Sequence, residues 1–264
     1  MDAASCPKCQ YQRQSKDVDP YLACPRCGII FAKYARYHAE SAAEPPSDGV
    51  ETVIDEEPAG PWYARLRDRL MELPEKPDPV TVGAETAALL VMVIWGVRLI
   101  AYPVITGRIM ESFWHDVDLP IHEFGHVLFR PFSEWLMYLG GSLFQCLLPA
   151  LIGVGFIWKM RNPFGAAFCL WWMAENVLDV APYIYDAKLM ALPLTGEWND
   201  EVAEMHVMRH DWHNILLPFG LVDSAWTLGN VAHFFGAALM LLSWIWAGAW
   251  LWKAWKLSRK ENFG

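Results

Sequence analysis

The chain has 264 residues and a formal net charge of −9, with 21 Lys and Arg against 30 Asp and Glu. This acidic balance excludes a nucleic-acid-binding protein of the usual basic kind, so no nucleic-acid partner is expected. Hydrophobic residues make up 54% of the chain, which excludes a chain that is disordered throughout. The average hides two compositions, because 14 of the 15 Trp and the long apolar runs follow residue 80.

Two CxxC pairs stand near the start of the chain. Cys6 and Cys9 form the first pair, Cys24 and Cys27 form the second, and 14 residues separate the pairs. Two such turns can place four thiolates around one Zn²⁺, although two disulfides or an iron site would use the same residues. Gly28 suits the left-handed turn that follows the second pair.

The segment resembles the small zinc-ribbon knuckles at the N-termini of many bacterial proteins. A structural zinc ion is therefore expected within residues 1–40, and reduced thiolates favour a cytosolic location. A site of four thiolates has no open coordination position, so catalysis is not expected there. Docking of a protein partner is the expected role.

Residues 41–80 are predicted to connect the ribbon to an apolar body. Residues 41–60 carry six acidic residues and no Lys or Arg, a composition typical of a disordered linker. Residues 61–73 follow the pattern of a short amphipathic helix between Pro61 and Pro74. Its Arg and Trp residues favour a position on a membrane surface, and packing against the ribbon is the alternative.

The rest of the chain contains four apolar segments, 84–105, 135–158, 164–185 and 226–252. Each provides the roughly 20 residues that an α-helix needs to cross a bilayer. We therefore expect an all-α polytopic membrane protein with about four transmembrane helices. Its membrane-embedded domain would cover 81–257, and 258–264 would form a cytosolic tail.

Positive charge predicts the orientation of these spans. Lys159 and Arg161 occupy a short loop between two spans, and further basic residues follow the last span. Positive loops stay in the cytoplasm, so four crossings with both termini inside satisfy these charges and the reduced ribbon. We expect a multi-pass protein of a bacterial-type inner membrane, with the loop 186–225 outside.

The clearest chemical signal is the HExxH sequence His122-Glu123-Phe124-Gly125-His126. Asp118 and Pro120 suit the start of a helix here, and Pro131 suits its end. Four residues apart, the two imidazoles project from one helix face and make good zinc ligands. Glu123 can take a proton from a metal-activated water and pass it to a leaving amine.

The surroundings of this motif favour a function over a solvated charged face. Two His and one Glu among apolar residues are costly to bury without partners. A helix of about 12 residues spans only roughly 18 Å, which is too short to cross a bilayer. The HExxH helix is therefore predicted to be half inserted.

HEFGH within a polytopic membrane protein resembles the site-2-protease class of intramembrane zinc metalloproteases. Together with Gly140–Gln145, Tyr183–Ala187 and His210–Trp212, it is still more similar to uncharacterised bacterial membrane proteins presumed to be metallopeptidases. The resemblance spans residues 115–235. It implies one catalytic zinc ion and a membrane protein substrate cleaved in or near the lipid bilayer.

Zinc hydrolases use three protein ligands and keep one position open. The candidates for the third ligand are His210, Asp186, Glu175 and Asp179. Glu175 and Asp179 have a thermolysin-like spacing, and Asp179 also resembles the Asp ligand of site-2 proteases, without the Gly and Pro of their motif. Asp211 and His213 are expected to orient the ligand imidazoles.

Two other functions stay open. The chain could be a membrane protein that binds metal without proteolysis, such as a sensor, carrier or assembly factor. It could also be a zinc hydrolase that acts on a lipid or another small molecule. Glu123 separates the hydrolases from the sensor or carrier, because only a hydrolase needs it for the reaction.

Overall fold

The computed structural model describes residues 5–12, 14, 17, 22–36, 61–192 and 210–263, with side chains to Arg259. The chain divides into two units, Met1–Ala59 and Gly60–Gly264. The predicted linker over 41–60 and residues 193–209 of the predicted outer loop lie outside the described residues.

The first unit contains two tight turns of the same design. Each CxxC pair lies in a turn closed by a single antiparallel bridge. Gln10 and Gly28 hold equivalent positions in the two turns, with φ of 58° and 68°. The left-handed conformation predicted for Gly28 is therefore present, and a short helix over 31–36 follows the second turn.

The described part of the second unit is helical. Its helices are α1 Trp62–Leu70, α2 Pro79–Ala101, α3 Phe113–Phe129, α4 Glu134–Trp158, α5 Pro163–Asp186, α6 Asp211–Leu216 and α7 Ala225–Phe263. No β-strand occurs among the residues that the structure describes, which confirms the all-α prediction for them.

Three helices are long and apolar enough to cross a membrane. Within the described residues they are Pro79–Ala101, Glu134–Trp158 and Val222–Arg259, which agree with three of the four predicted spans. The fourth predicted span corresponds to α5. Its 24 residues are sufficient in length but include Glu175, Asn176 and Asp179, which reduce its apolar character.

Instead, α5 forms the buried centre of the unit. It packs against α7, α4 and α2, and Trp171 and Leu178 are fully buried between them. Gly236 of α7 faces α5 so closely that an added Cβ would lie 2.9 Å from Leu178 Cγ. Small residues thus allow close helix contact, and the polar groups of α5 are kept away from the outer surface.

The HExxH helix begins earlier than predicted. Ser112 is its N-cap, with Oγ accepting the backbone N–H of His115 at 3.2 Å. Asp118 is therefore not a cap; its buried side chain accepts the Trp172 Nε1–H at 2.8 Å. Pro120 lies inside the helix, whose 17 residues extend about 26 Å, still short of a bilayer core of about 30 Å.

Candidate metal centre

Glycines bring α3 and α4 into close contact at the HExxH motif. An added Cβ at Gly140 would lie 2.7 Å from the Gly125 carbonyl oxygen. One at Gly141 would lie 2.5 Å from His122 Nε2 and 2.6 Å from His126 Nε2. The absence of a side chain at Gly141 therefore leaves a cradle in front of both imidazoles.

Hydrogen bonds on the far side of each imidazole fix its tautomer. His122 Nδ1 lies 2.5 Å from Gln145 Oε1, and His126 Nδ1 lies 2.7 Å from the Met137 carbonyl oxygen. Both oxygens only accept, so Nδ1 carries a proton in each ring, and in the neutral ring the lone pair is on Nε2. Both histidines are thus prepared to bind a cation through Nε2.

Asp211 supplies the third group. Its Oδ2 atom lies 3.3 Å from His122 Nε2 and 3.3 Å from His126 Nε2. The ligand atoms of these three residues, the His–His–Asp group, all lie within 4.8 Å of one another. Ligand atoms about 2.0–2.2 Å from a tetrahedral zinc ion are roughly 3.3 Å apart, so this spacing fits one zinc ion.

The surroundings of Asp211 favour its carboxylate form. Burial raises the pKa of its carboxyl group, but hydrogen bonds and positive charge from the His122 and His126 rings, in the form that carries a proton on Nε2, hold the pKa below its usual range. A bound cation would take the place of those Nε2 protons. The Tyr183 hydroxyl donates to Oδ2 at 3.2 Å and accepts the Asp211 backbone N–H at 3.0 Å. Tyr183 therefore fixes both the backbone and the side chain of Asp211.

His210 and Asp186, two predicted third ligands, pair with each other instead of joining this group. His210 Nε2 lies 3.3 Å from Asp186 Oδ2, and its Nδ1 accepts the His213 backbone N–H as the N-cap of α6. Asp186 also accepts two backbone N–H groups just beyond α5. The pair holds the start of α6 and so positions Asp211.

His213 does not contact the ligand imidazoles either. Its Nδ1 atom lies 2.8 Å from the carbonyl oxygen of Ala187. On the same helix, Trp212 Nε1–H donates to Ser142 Oγ at 3.0 Å. These contacts attach α6 to α4 and to the end of α5, which carry Gln145 and Tyr183.

Glu175 and Asp179 lie on α5, outside the His–His–Asp group. Glu175 is fully buried and interacts electrostatically with Asp118, and neither of its carboxyl oxygens has a hydrogen-bond partner among the described residues. Asp179 Oδ1 lies 3.0 Å from His115 Nδ1, and Oδ2 lies 3.4 Å from Gln145 Nε2. Asp179 therefore reaches His122 only through Gln145.

Glu123 is exposed on α3, and its charge acts electrostatically on His126 and Tyr183. A cavity of about 50 Å³ lies beside His122 and is also lined by Tyr183 and Gln145. That volume accommodates a few water molecules. Water can therefore be held next to His122, although His126, Asp211 and Glu123 do not line this cavity.

Sequence reasoning assigned Asp211 only an orienting role and missed Gln145. Asp211 follows His210, so the local sequence cannot show which of the two side chains turns towards α3. Gln145 offered a signal, because it is four residues after Gly141 and therefore on the same face of α4.

The four Cys of the first unit also form a group that could hold a metal ion. Cys6 Sγ lies 3.8 Å from Cys27 Sγ, and Cys9 Sγ lies 3.6 Å from Cys24 Sγ. Sulfurs about 2.3 Å from a tetrahedral zinc ion are about 3.8 Å apart. All four thiols are free, and a disulfide would need an S–S distance of about 2.0 Å.

The four thiols shift one another's pKa in opposite directions: that of Cys9 is raised to about 12, by burial and by hydrogen bonds with the other three thiols against a lowering backbone hydrogen bond, and that of Cys6 is lowered. Desolvation raises the pKa of Cys6, but backbone N–H groups of Cys9 and Lys8 and hydrogen bonds with neighbouring thiols lower it to about 6. The thiolate is the form that binds metal.

Comparisons of the chain with protein-family models, with curated proteins and with solved structures give no match. Its function therefore has to be inferred from its own residues. The His–His–Asp group beside Glu123 offers the most specific chemistry for that purpose.

Proposed function

We propose that this protein is a membrane-embedded zinc metallopeptidase that hydrolyses peptide bonds of membrane or membrane-proximal proteins. The observation that supports this best is the approach of Asp211 Oδ2 to the Nε2 atoms of His122 and His126, at 3.3 Å each. These three residues would hold the ion. Glu123, adjacent to His122, would act as base and then as acid.

The residues fit zinc in number and in chemistry. Two neutral imidazoles and one carboxylate form a ligand set common in catalytic zinc sites, and they leave a fourth position open. Zinc bound there would make a water molecule acidic enough to attack a carbonyl at neutral pH. The cradle at Gly141 provides room in front of both Nε2 atoms.

The other side chains of the proposed site would have separate roles in proton transfer, in orienting Asp211 and in contacting the substrate. Glu123 takes the proton of the attacking water and passes it to the leaving amine. Tyr183 keeps Asp211 oriented through its hydroxyl, 3.2 Å from Oδ2. Phe124 and Val127, with 53% and 66% of their surface exposed, offer α3 an apolar face to a substrate strand, which must be unwound to expose its carbonyls.

For the first unit we propose a zinc ribbon, in which Cys6, Cys9, Cys24 and Cys27 hold a structural zinc ion and the module docks a protein partner. The proposed location is an inner membrane of bacterial type with both termini in the cytoplasm, as the basic loop at Lys159 favours. Both termini share one side only if α5 also crosses, which its 24 residues allow.

The substitution Glu123→Gln tests the proposed activity. The amide cannot accept the proton, so cleavage should fall by at least about 100-fold, whereas zinc bound by the His–His–Asp group should remain. Terminal-peptide profiles of membrane proteins, compared between cells with wild-type and variant protein, measure cleavage.

Glu111→Gln is the matched control, because Glu111 is also exposed but lies outside the motif. It should leave the profile unchanged. If Glu123→Gln retains zinc and changes no terminal peptide, the peptidase proposal is wrong. A metal-binding role without proteolysis, or hydrolysis of a small molecule, would then replace it.

A further inference from the structure

Three side chains form a hydrogen-bonded chain behind His122. His122 Nδ1 lies 2.5 Å from Gln145 Oε1, and Gln145 Nε2 lies 3.4 Å from Asp179 Oδ2. Asp179 in turn lies 3.0 and 3.1 Å from His115 Nδ1 through its two oxygens. The chain therefore joins α3, α4 and α5 and ends in a second histidine.

The chemistry of each member fixes the direction of the next. A carboxylate only accepts hydrogen bonds, so Asp179 must receive N–H groups from His115 and from Gln145. With its amide nitrogen turned to Asp179, Gln145 must present its oxygen to His122. Nδ1 of His122 must then carry the proton, which leaves the lone pair on Nε2 facing Asp211.

The two ligand histidines differ in what holds them. His126 donates to a backbone carbonyl, that of Met137, which is an acceptor whatever the side chains around it. His122 depends on an amide that can turn over, since the two ends of Gln145 have similar shapes. Only a fixed acceptor behind Gln145 prevents that inversion.

We infer that Asp179, held by His115, is a positioning residue that sets the orientation of Gln145 and thereby the tautomer of His122. The inference rests on the proposed zinc site. It gives Asp179 a role two hydrogen bonds away from the ligand His122, in place of the ligand role considered from the sequence. Outer hydrogen-bond partners of this kind typically contribute 10- to 100-fold to metal affinity.

The test is the zinc affinity of the full-length protein carrying Asp179→Asn. An amide at 179 can donate as well as accept, so it no longer forces the direction of Gln145. The zinc equivalent that disappears in His126→Ala should bind about 10- to 100-fold more weakly in this variant, while the equivalent held by the four Cys is unchanged. Bound Co²⁺ should show an altered visible spectrum.

Two further variants make the outcome decisive. Asp116→Asn is the matched control, because it removes the same charge from an exposed position next to His115 and should leave zinc affinity at the wild-type value. Gln145→Leu removes the middle of the chain and should weaken zinc binding at least as much as Asp179→Asn.

Wild-type affinity and cobalt spectrum in both Asp179→Asn and Gln145→Leu would overturn the positioning role. So would an equal loss in Asp116→Asn, which would show a general effect of charge. Failure of the wild-type protein to bind a second zinc equivalent is a different result, because it would reject the proposed zinc site itself.

Discussion

Asp118 and Glu175 form a buried carboxyl pair within the helical body. Both side chains are fully buried, and the donor that reaches Asp118 is the Trp172 Nε1–H at 2.8 Å. Two ionised carboxylates in contact, away from water, would repel each other strongly. One of the pair must therefore hold a proton, and it can donate that proton to the other.

Substitutions at Glu175 test this pairing. If Glu175 is the protonated member, Glu175→Gln replaces one neutral donor by another of similar shape, and we expect a loss of less than about 1 kcal/mol in the free energy of unfolding. Glu175→Ala leaves a cavity and an Asp118 Oδ2 atom without a donor, and should cost about 2–4 kcal/mol. Unfolding of both variants in the same detergent measures the difference. Equal losses would show that Glu175 is not the protonated member of the pair.

At the scale of elements, the contact between α3 and α4 depends on glycine. In Gly141→Ala the new Cβ would lie 2.5 Å from His122 Nε2, so the imidazoles must move out of the ion position. We expect loss of zinc from the His–His–Asp group, with the helix intact because Ala favours helix over Gly by about 1 kcal/mol.

Gly155→Ala provides the control on the same helix, because no atom lies within 4 Å of its added Cβ. It should keep zinc binding and raise stability by about 0.5–1 kcal/mol. Measured zinc stoichiometry and thermal unfolding of the two variants check both statements. Retention of zinc in Gly141→Ala would contradict the cradle described at this position.

The elements also show how far a sequence of this kind can be interpreted. The helix that contains HEFGH and the apolar spans can be predicted from the sequence, because periodicity and length are visible within short stretches of it. The start of α3 at Phe113 could not be predicted in this way. Asp118 has the properties of an N-cap but instead accepts a hydrogen bond from Trp172. Tertiary contacts decided between these two uses of the same side chain.

The candidate site likewise contains some residues that the sequence predicts and others that only the structure identifies. His122, Glu123 and His126 are separated by a helical spacing that is visible in the sequence. Asp211 meets His122 across 89 residues, through an arrangement that depends on Tyr183 and on the pair of Asp186 with His210. No local pattern encodes that contact, so the third member of the group had to come from the structure.

At the scale of the whole molecule, the two groups of candidate metal ligands belong to separate units. Cys24→Ser should remove one zinc equivalent and unfold the first unit, which is too small to build a core without metal. The second unit should keep its zinc and its unfolding temperature. Zinc stoichiometry and hydrogen exchange across residues 5–36 measure these effects.

Cys146→Ala is the control for this substitution, because Cys146 lies on α4, outside both metal groups. Both zinc equivalents should persist in it. Loss of both equivalents in Cys24→Ser would show that the two units do not bind metal independently.

The position of Gly141 along α4 also determines how deep the proposed ion would lie in a membrane. Gly141 is the eighth residue of α4, so it lies about 10 Å along the axis from the start of that helix. The 25 residues of α4 extend about 37 Å, about 7 Å more than a hydrocarbon core of about 30 Å. If α4 crosses the core symmetrically, the proposed ion would lie about 7 Å below its surface, roughly one quarter of the way in. A peptidase of the proposed kind would then cleave bonds at that depth and leave bonds at the midplane uncut.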